Sequence, residues 1–358
     1  MSRELLKDAV RIVVKLGTGV LTNSRKEPDR AQMGQLAAQL AEQRQAGKEV
    51  VVVSSGAVGA GMGALGYGKR PGELAELQAC AAVGQSRLMA TYEQLFGAFG
   101  LAVAQVLITH EDLAHHERHL NARNTLITLL RHGVVPVINE NDAVSFTELR
   151  FGDNDTLSAL VASLLPADLL VILTTVDGLM EGFGQAKART IPTVERIDAA
   201  LERIAGGTSS ATAVGGMSSK LQAAKIAVRS GIPLVIASGL KKDGLARVIA
   251  GEEEGTLFVP HPRRLQGRKR WIAFFHHPRG TVFVDAGARK ALRDSGKSLL
   301  PPGIARCEGE FAAGDVVRVC DLDGTEFARG IAAFQSAEIK AGQLRRVEVI
   351  HRDNLVIL

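Results

Sequence analysis

Val50-Val51-Val52-Val53-Ser54-Ser55-Gly56-Ala57-Val58-Gly59-Ala60-Gly61 decides the fold. Four β-branched residues in a row leave no polar face, so their strand must be covered on both sides. That is the pattern of a central strand in a parallel sheet between helix layers. The hydroxyls and small residues that follow offer N–H and O–H donors, with room for a carboxylate or phosphate at the strand's end.

The same alternation extends in both directions. Residues 10–15 form a β-branched run closed by Gly17. Residues 29–45 carry helical spacing of Leu and Ala and stop at Gly47. Further helices are predicted over 73–99 (with Gly84 inside), 118–131, 155–165 and 218–229, and further strands over 101–108, 134–138, 169–173 and 233–237. Together they predict an α/β chain with a mainly parallel central sheet between helix layers.

The pattern changes near Val259. The stretch from His261-Pro262-Arg263-Arg264 to Arg268-Lys269-Arg270 is basic and proline-bearing, and reads as a linker over 260–270. Beyond it, 271–275, 281–284, 316–320 and 326–332 read as short strands and 286–293 as a helix. Asp321-Leu322-Asp323-Gly324 is a hairpin turn signal between the last two strands. The expected division is a catalytic domain over 1–259, the linker, and a small β-rich module over 271–358.

Composition bounds the class. The chain has 358 residues, 46% apolar and 23% charged, a profile of soluble globular proteins. No apolar run is long enough to span a bilayer. Met1-Ser2-Arg3-Glu4 does not read as a signal peptide. Cys80, Cys307 and Cys320 are far apart and odd in number, as expected of reduced thiols in a cytoplasm. No CxxC is present, which argues against a structural zinc site. Residues 1–258 hold 26 Lys/Arg against 27 Asp/Glu, and 259–358 hold 17 against 11. The basic excess therefore lies in the last module, as a solvated surface or as a site for an anionic partner such as RNA.

Ligands of open α/β sheets bind beyond the C-terminal strand ends, and unusual residues recur there. Lys15 precedes Gly17-Thr18-Gly19, where it could neutralise charge on a transferring phosphoryl group; taken alone, a snorkelling surface lysine is the stronger reading. Asn139-Glu140-Asn141-Asp142 follows a strand directly and could hold the charged groups of an amino acid, or be an ordinary polar loop. In Phe151-Gly152-Asp153-Asn154-Asp155, Asp155 could cap a helix or hold lysines in place, while Asp153 and Asn154 could meet a substrate amine. Val214-Gly215-Gly216-Met217-Ser218-Ser219-Lys220 opens a helix, the setting of a phosphate site. Lys220 there opposes the helix dipole, which makes better sense with an anion between them.

Two patterns compete. Gly61-Met62-Gly63-Ala64-Leu65-Gly66 matches the dinucleotide GxGxxG but lacks its acidic partner, and otherwise reads as tight helix packing. His110-Glu111 with His115, His116 and His119 fails HExxH spacing and reads as a solvated helix face. A dehydrogenase and an RNA-binding protein thus stand as rivals to a phosphoryl-transfer enzyme.

In order and wording, VVKLGTGVL, SSGAVGAG, VGQSRL, NARNT, PVINENDAV, FGDNDTLSAL, GGMSSKLQAA, RKRW, SLLPPGI and VIHRDNL resemble the bacterial glutamate 5-kinase family over nearly the whole chain. The resemblance implies an amino-acid-kinase fold, an open αβα sandwich, followed by a small β-rich PUA-like barrel. It implies transfer of the γ-phosphoryl group of ATP to the side-chain carboxylate of L-glutamate, the first step of proline biosynthesis, in a family typically inhibited by proline. Lys15, Lys220 and Asp155 are the implied catalytic residues, with Asp155 orienting both lysines. Ser55, Asp142 and Asn154 are implied to bind glutamate. Lys15, Thr174, Thr175, Val214, Gly215, Gly216, Met217, Ser218, Ser219 and Lys220 are implied to bind ATP, and Mg²⁺ to be held mainly by the ATP phosphates.

The resemblance also implies a homo-oligomer and raises glutamyl phosphate reductase as a partner. PUA domains elsewhere are associated with RNA, but that role does not follow for this module. The chain departs from the family at Thr174-Thr175, where Thr-Asp is usual. It also departs after Gly178-Leu179, which lacks the usual Tyr and Asp-Pro, and between Glu338 and Glu348, where it is shorter. A carboxylate is already a nucleophile at neutral pH, so no general base is expected. The work is to align two anions and stabilise the transferring group.

Overall fold

The computed structural model describes residues 3–23, 28–144, 154–182, 188–206, 216–261, 265, 267–275 and 278–358. The chain divides into two compact units, Met1–Arg264 and Leu265–Leu358.

The first unit begins β1 (Arg11–Leu16), α1 (Thr18–Leu21), α2 (Arg30–Gln45), β2 (Glu49–Ser54), α3 (Ala57–Ala64), α4 (Leu74–Gly97) and β3 (Val103–Ile108). It continues α5 (His110–Ala114), α6 (His116–Arg131), β4 (Val135–Glu140), α7 (Asn154–Leu164) and β5 (Leu169–Thr174). Then come β6 (Met180–Glu181), β7 (Arg189–Thr190), β8 (Thr193–Val194), α8 (Ala199–Gly206), α9 (Met217–Arg229), β9 (Leu234–Ser238), α10 (Gly244–Ile249) and β10 (Thr256–Phe258).

Eight strands form one sheet in the order β3-β4-β2-β1-β5-β9-β10-β8. It is parallel apart from the antiparallel β9–β10 pair. The valine run Val50-Val51-Val52-Val53 lies in β2, between β1 and β4, and is fully buried. Alternation divides its side chains between two layers. Ile12, Val14, Val50 and Val52 join Met33, Leu36 and Leu40 of α2 and Leu88, Tyr92 and Phe96 of α4 in one core. On the other face α7 packs on β1, β2, β4 and β5, and against α9. Asp29 starts α2 by accepting from Gln32 N at 3.0 Å.

One sequence expectation is corrected here and two open alternatives are decided. Asn139 and Glu140 are the last two residues of β4, not a loop after it, and strand pairing with β3 carries the backbone order that far. The glycines of the GxGxxG match lie in or just past α3, and of them Gly61 serves packing, while Gly63 and Gly66 face open space. A Cβ on Gly61 would stand 1.8 Å from Cys80 O, and one on Gly84 1.7 Å from Ala57 O. Only this glycine pair lets α3 and α4 approach so closely. Asp155 is inside α7 rather than at its cap.

The second unit holds α11 (Gly267–Phe274), β11 (Gly280–Val284), α12 (Ala286–Ser295), β12 (Ile304–Gly309), β13 (Val316–Cys320), β14 (Glu326–Ile331), α13 (Ser336–Lys340) and β15 (Leu355–Ile357). Its five-stranded sheet runs β12-β11-β13-β14-β15 around a core that includes Val282, Val317, Phe327 and Ile350. The Asp321–Gly324 turn closes the β13–β14 hairpin, with Gly324 N donating to Asp321 O at 3.0 Å. Residues 271–275 were expected as a strand but lie almost wholly in α11. The reason is packing. Ile272 and Ala273 are buried with Val316 and Val356, with Trp271 and Phe274 alongside. The charged residues Arg268, Lys269 and Arg270 supply a helix-compatible first turn. Residues 262–264 and 266 lie outside the described residues.

Candidate active site

The parallel strands β1, β2, β4 and β5 end on the same edge and deliver polar side chains there. Lys15 is the fifth residue of β1 and only 5% exposed. Its Nζ lies 2.5 Å from Asp155 Oδ1. The other oxygen of that carboxylate accepts from Lys220 Nζ at 2.9 Å and from Ser219 Oγ at 3.0 Å. Asp155 is completely buried in the first turn of α7, and Lys220 in the first turn of α9 is 5% exposed. The packing of α7 on α9 makes this meeting possible.

Burial alone would raise the Asp155 carboxyl, but the ammonium groups of Lys15 and Lys220 outweigh it and hold the carboxyl below its ordinary range. Two buried cations converge on one buried carboxylate, an arrangement suited to stabilising an anionic group beside them.

Beside this trio is an amide and hydroxyl cluster. Asn154, the residue before Asp155, donates from Nδ2 toward Ser54 O (3.0 Å), Ser55 Oγ (2.9 Å) and Asn139 Oδ1 (2.9 Å). It thereby joins the ends of β2, β4 and α7. Gly56, at the start of α3, has φ 104°, a left-handed conformation open to glycine at no steric cost. It turns the chain directly from β2 into α3. Asp142 lies in a cavity of about 260 Å³ lined also by Ala57, Gln85, Gln105, Glu140 and Asn141.

The residues that the family resemblance implies for ATP are placed as follows. Thr174 ends β5, the neighbour of β1, and its carbonyl accepts from Gly239 N at 2.8 Å; Thr175 is exposed. Gly216 precedes α9, Met217 and Ser218 open it, and Ser219 Oγ bonds Gly216 O at 2.8 Å as well as Asp155. Gly17 N donates to Leu173 O at 3.2 Å, so this donor serves the β1–β5 junction. Asp153, Val214 and Gly215 lie outside the described residues.

Sequence reasoning picked out Lys15, Asp155, Lys220, Ser55 and Asn154, which the structure brings together in two adjoining clusters. It attached no chemistry to Gln85 and Tyr92 of α4. Gln85 Oε1 accepts from Asn139 Nδ2 at 3.0 Å, and Tyr92 OH lies 2.7 Å from Ser54 Oγ. A polar residue seven positions from a buried tyrosine on an apolar helix was the available signal. Among the described residues no cluster of three His, Cys, Asp or Glu could hold a metal ion. No described helix is long and apolar enough to cross a membrane.

Comparison with known proteins bears on the whole chain. The amino acid kinase family pattern matches residues 10–238 and the PUA domain pattern residues 280–352. Glutamate 5-kinase of Geobacter sulfurreducens is 49% identical, covering 100% of both chains. That of Moorella thermoacetica is 46% identical over 99% of this chain and 98% of its own. That of Burkholderia vietnamiensis is 48% identical over 99% and 100%. Among solved structures, carbamate kinase from Giardia lamblia bound to AMP-PNP aligns with a TM-score of 0.50 at 20% identity, over 71% of this chain and 100% of its own. That likeness is one of fold, and it supports the α/β sandwich with a parallel central sheet.

Proposed function

We propose, from the premise that this chain belongs to the amino acid kinase family and groups there with the glutamate 5-kinases, that it transfers the γ-phosphoryl group of ATP to the side-chain carboxylate of L-glutamate. The product is L-glutamyl 5-phosphate, and the reaction is the first step of proline biosynthesis. One observation carries the reading. Two buried lysines share a single buried aspartate at the sheet edge, beside a cluster of amide and hydroxyl groups suited to an amino acid.

Each residue has a role that follows from its place. Lys15 and Lys220 approach the transferring phosphoryl oxygens from opposite oxygens of Asp155. They neutralise the repulsion between ATP and the incoming carboxylate and stabilise charge spread over the equatorial oxygens. Asp155 keeps both ammonium groups fixed, so little reorganisation is needed during transfer. Ser55 and Asn154 hold the acceptor, and Asp142 in the adjoining cavity pairs with its ammonium group. Thr174 and Thr175 border the nucleotide, while Gly216, Met217, Ser218 and Ser219 surround its phosphates at the start of α9.

The donor set suits a metal that arrives with its nucleotide. Both oxygens of Asp155 are engaged by ammonium groups, so phosphate and water supply most of the ligands of Mg²⁺. When bound, Mg²⁺ adds positive charge along the phosphate chain. The acceptor needs no base, since a carboxylate is ionised at neutral pH.

The product is a mixed anhydride that water hydrolyses, so direct use by glutamyl phosphate reductase suits its chemistry. A cytoplasmic setting, where ATP is available, fits the three free cysteines. A homo-oligomer is part of the same reading.

A hydroxylamine trap tests the function. Hydroxamate should form only when glutamate, ATP and Mg²⁺ are all present. Product from aspartate or acetylglutamate, with none from glutamate, would overturn the assignment.

A further inference from the structure

The hydrogen bonds around Asn154 have a direction that can be worked out. Ser54 O can only accept, so the Asn154 atom facing it is the amide nitrogen. That nitrogen also faces Asn139 Oδ1, which accepts in addition from Glu140 N at 2.9 Å. The Asn139 orientation is thereby set, and its own Nδ2 must donate to Gln85 Oε1 at 3.0 Å. Asn139 and Gln85 are 2% and 7% exposed, so water cannot readily substitute for either partner. On the other side, Tyr92 OH is fully buried and shares a 2.7 Å hydrogen bond with Ser54 Oγ. Ser54 Oγ reaches Ser55 O at 3.1 Å. Burial pushes the Tyr92 phenol up, so it stays protonated and able to donate.

Gln85 and Tyr92 belong to the same helix and are seven residues apart, two turns along one face. The helix α4 reaches the sheet edge because Gly84 and Gly61 let it lie directly on α3. Gln85 supports Asn139, and Tyr92 supports Ser54. Both chains of contact end on Asn154, whose amide sits between them.

We propose that Gln85 and Tyr92 are positioning residues for the acceptor: α4 grips Asn154 from both sides and so sets the geometry in which Ser55 and Asn154 hold the substrate carboxylate. This rests on the reading of that cluster as the glutamate site. Neither residue needs to touch phosphate. Their loss should weaken acceptor binding and leave the Lys15–Asp155–Lys220 trio intact.

Steady-state kinetics of the full-length protein with Tyr92→Phe, Gln85→Met and the double variant test this, together with their thermal midpoints. Tyr92→Phe removes one oxygen and Gln85→Met keeps the volume, so both are chosen to fold. Each should raise KM for glutamate by about tenfold, the size of one lost buried hydrogen bond, with kcat within about threefold and KM for ATP unchanged. The double variant should raise it by less than the product of the two, since both act through Asn154. A merely structural role would lower the thermal midpoint and leave KM for glutamate within twofold of wild type, and that result would overturn the proposal. So would an equal rise in KM for ATP. Should Gln85→Met fail to fold, Tyr92→Phe alone decides. Wild-type protein that fails to phosphorylate glutamate would overturn the underlying activity as well, which separates the two failures.

Discussion

Lys15 Nζ stands 2.5 Å from Asp155 Oδ1, although the two residues are 140 positions apart and both are almost wholly removed from solvent. The carboxylate's second oxygen is taken by Lys220. Asp155 thus sets the separation and direction of two cations, which is the catalytic arrangement of the proposed function and also a structural commitment. Removing it takes away the carboxylate that both buried ammonium groups share. Asp155→Asn is expected to lose about 3–5 kcal/mol of stability, as for other broken buried pairs. Its kcat should fall by at least about a hundredfold, on the scale of losing a preorganised charge. Urea unfolding and initial rates measure the two effects, and near-wild-type kcat would remove Asp155 from the centre.

The same carboxyl gives a pH signature. Its folded value is held below its ordinary 3.8. A carboxyl depressed on folding contributes stability above its unfolded value and loses it as pH falls through the folded one. The urea midpoints of wild type and Asp155→Asn should therefore differ by a constant amount from about pH 5 to 8 and converge below about pH 4. A gap unchanged at about pH 3 would show that this ion triad does not set the acid limb.

Lys15→Ala should lower kcat by at least about two orders of magnitude, by analogy with loss of one transition-state donor. Lys220→Ala should also raise KM for ATP, because Lys220 lies in the first turn of α9, which is proposed to meet the ATP phosphates. Kinetics with ATP and glutamate varied separately distinguish them. A Lys15→Ala enzyme within threefold of wild type would take Lys15 out of the chemistry.

Asp142→Ala should act on the acceptor alone. Loss of a charge-assisted contact to the glutamate ammonium group is worth about 1.5–3 kcal/mol, or roughly a ten- to hundredfold rise in KM for glutamate. KM for ATP should not move. A parallel rise for both substrates would point to collapse of the cavity instead.

Gly84→Ala adds one methyl where Ala57 O already stands 1.7 Å away. The two helices must separate, at a cost of about 1–3 kcal/mol for overpacking. Because α4 also carries Gln85 and Tyr92, KM for glutamate should rise together with the loss of thermal stability. Calorimetry with kinetics checks the coupling; a destabilised variant with normal KM would show that α4 moves without disturbing Asn154.

Much of this was legible in the chain itself. The valine run at 50–53 demanded burial on both faces, and β2 lies inside the sheet. Lys15, Asp155 and Lys220 stood out because each falls at a strand end or helix start, where ligand groups gather. Residues 271–275 misled, because an apolar run of that length fits a strand or a helix. Only the packing against Val316 and Val356 decided for α11.

What the sequence by itself determined was the class of the fold, the edge of the sheet where the candidate site lies, and the residue types gathered there. These depend on periodicity and on local turns, which are short-range properties. Which oxygen of Asp155 each lysine takes, and that Gln85 and Tyr92 stand beneath Asn154, was decided by tertiary structure alone. Those contacts join residues tens to more than a hundred positions apart, and they depend on how closely α4 can lie on α3 and α7 on α9. Helix approach is set by the volumes of side chains such as Gly61 and Gly84 facing each other across the interface, and no local pattern records which residues face each other.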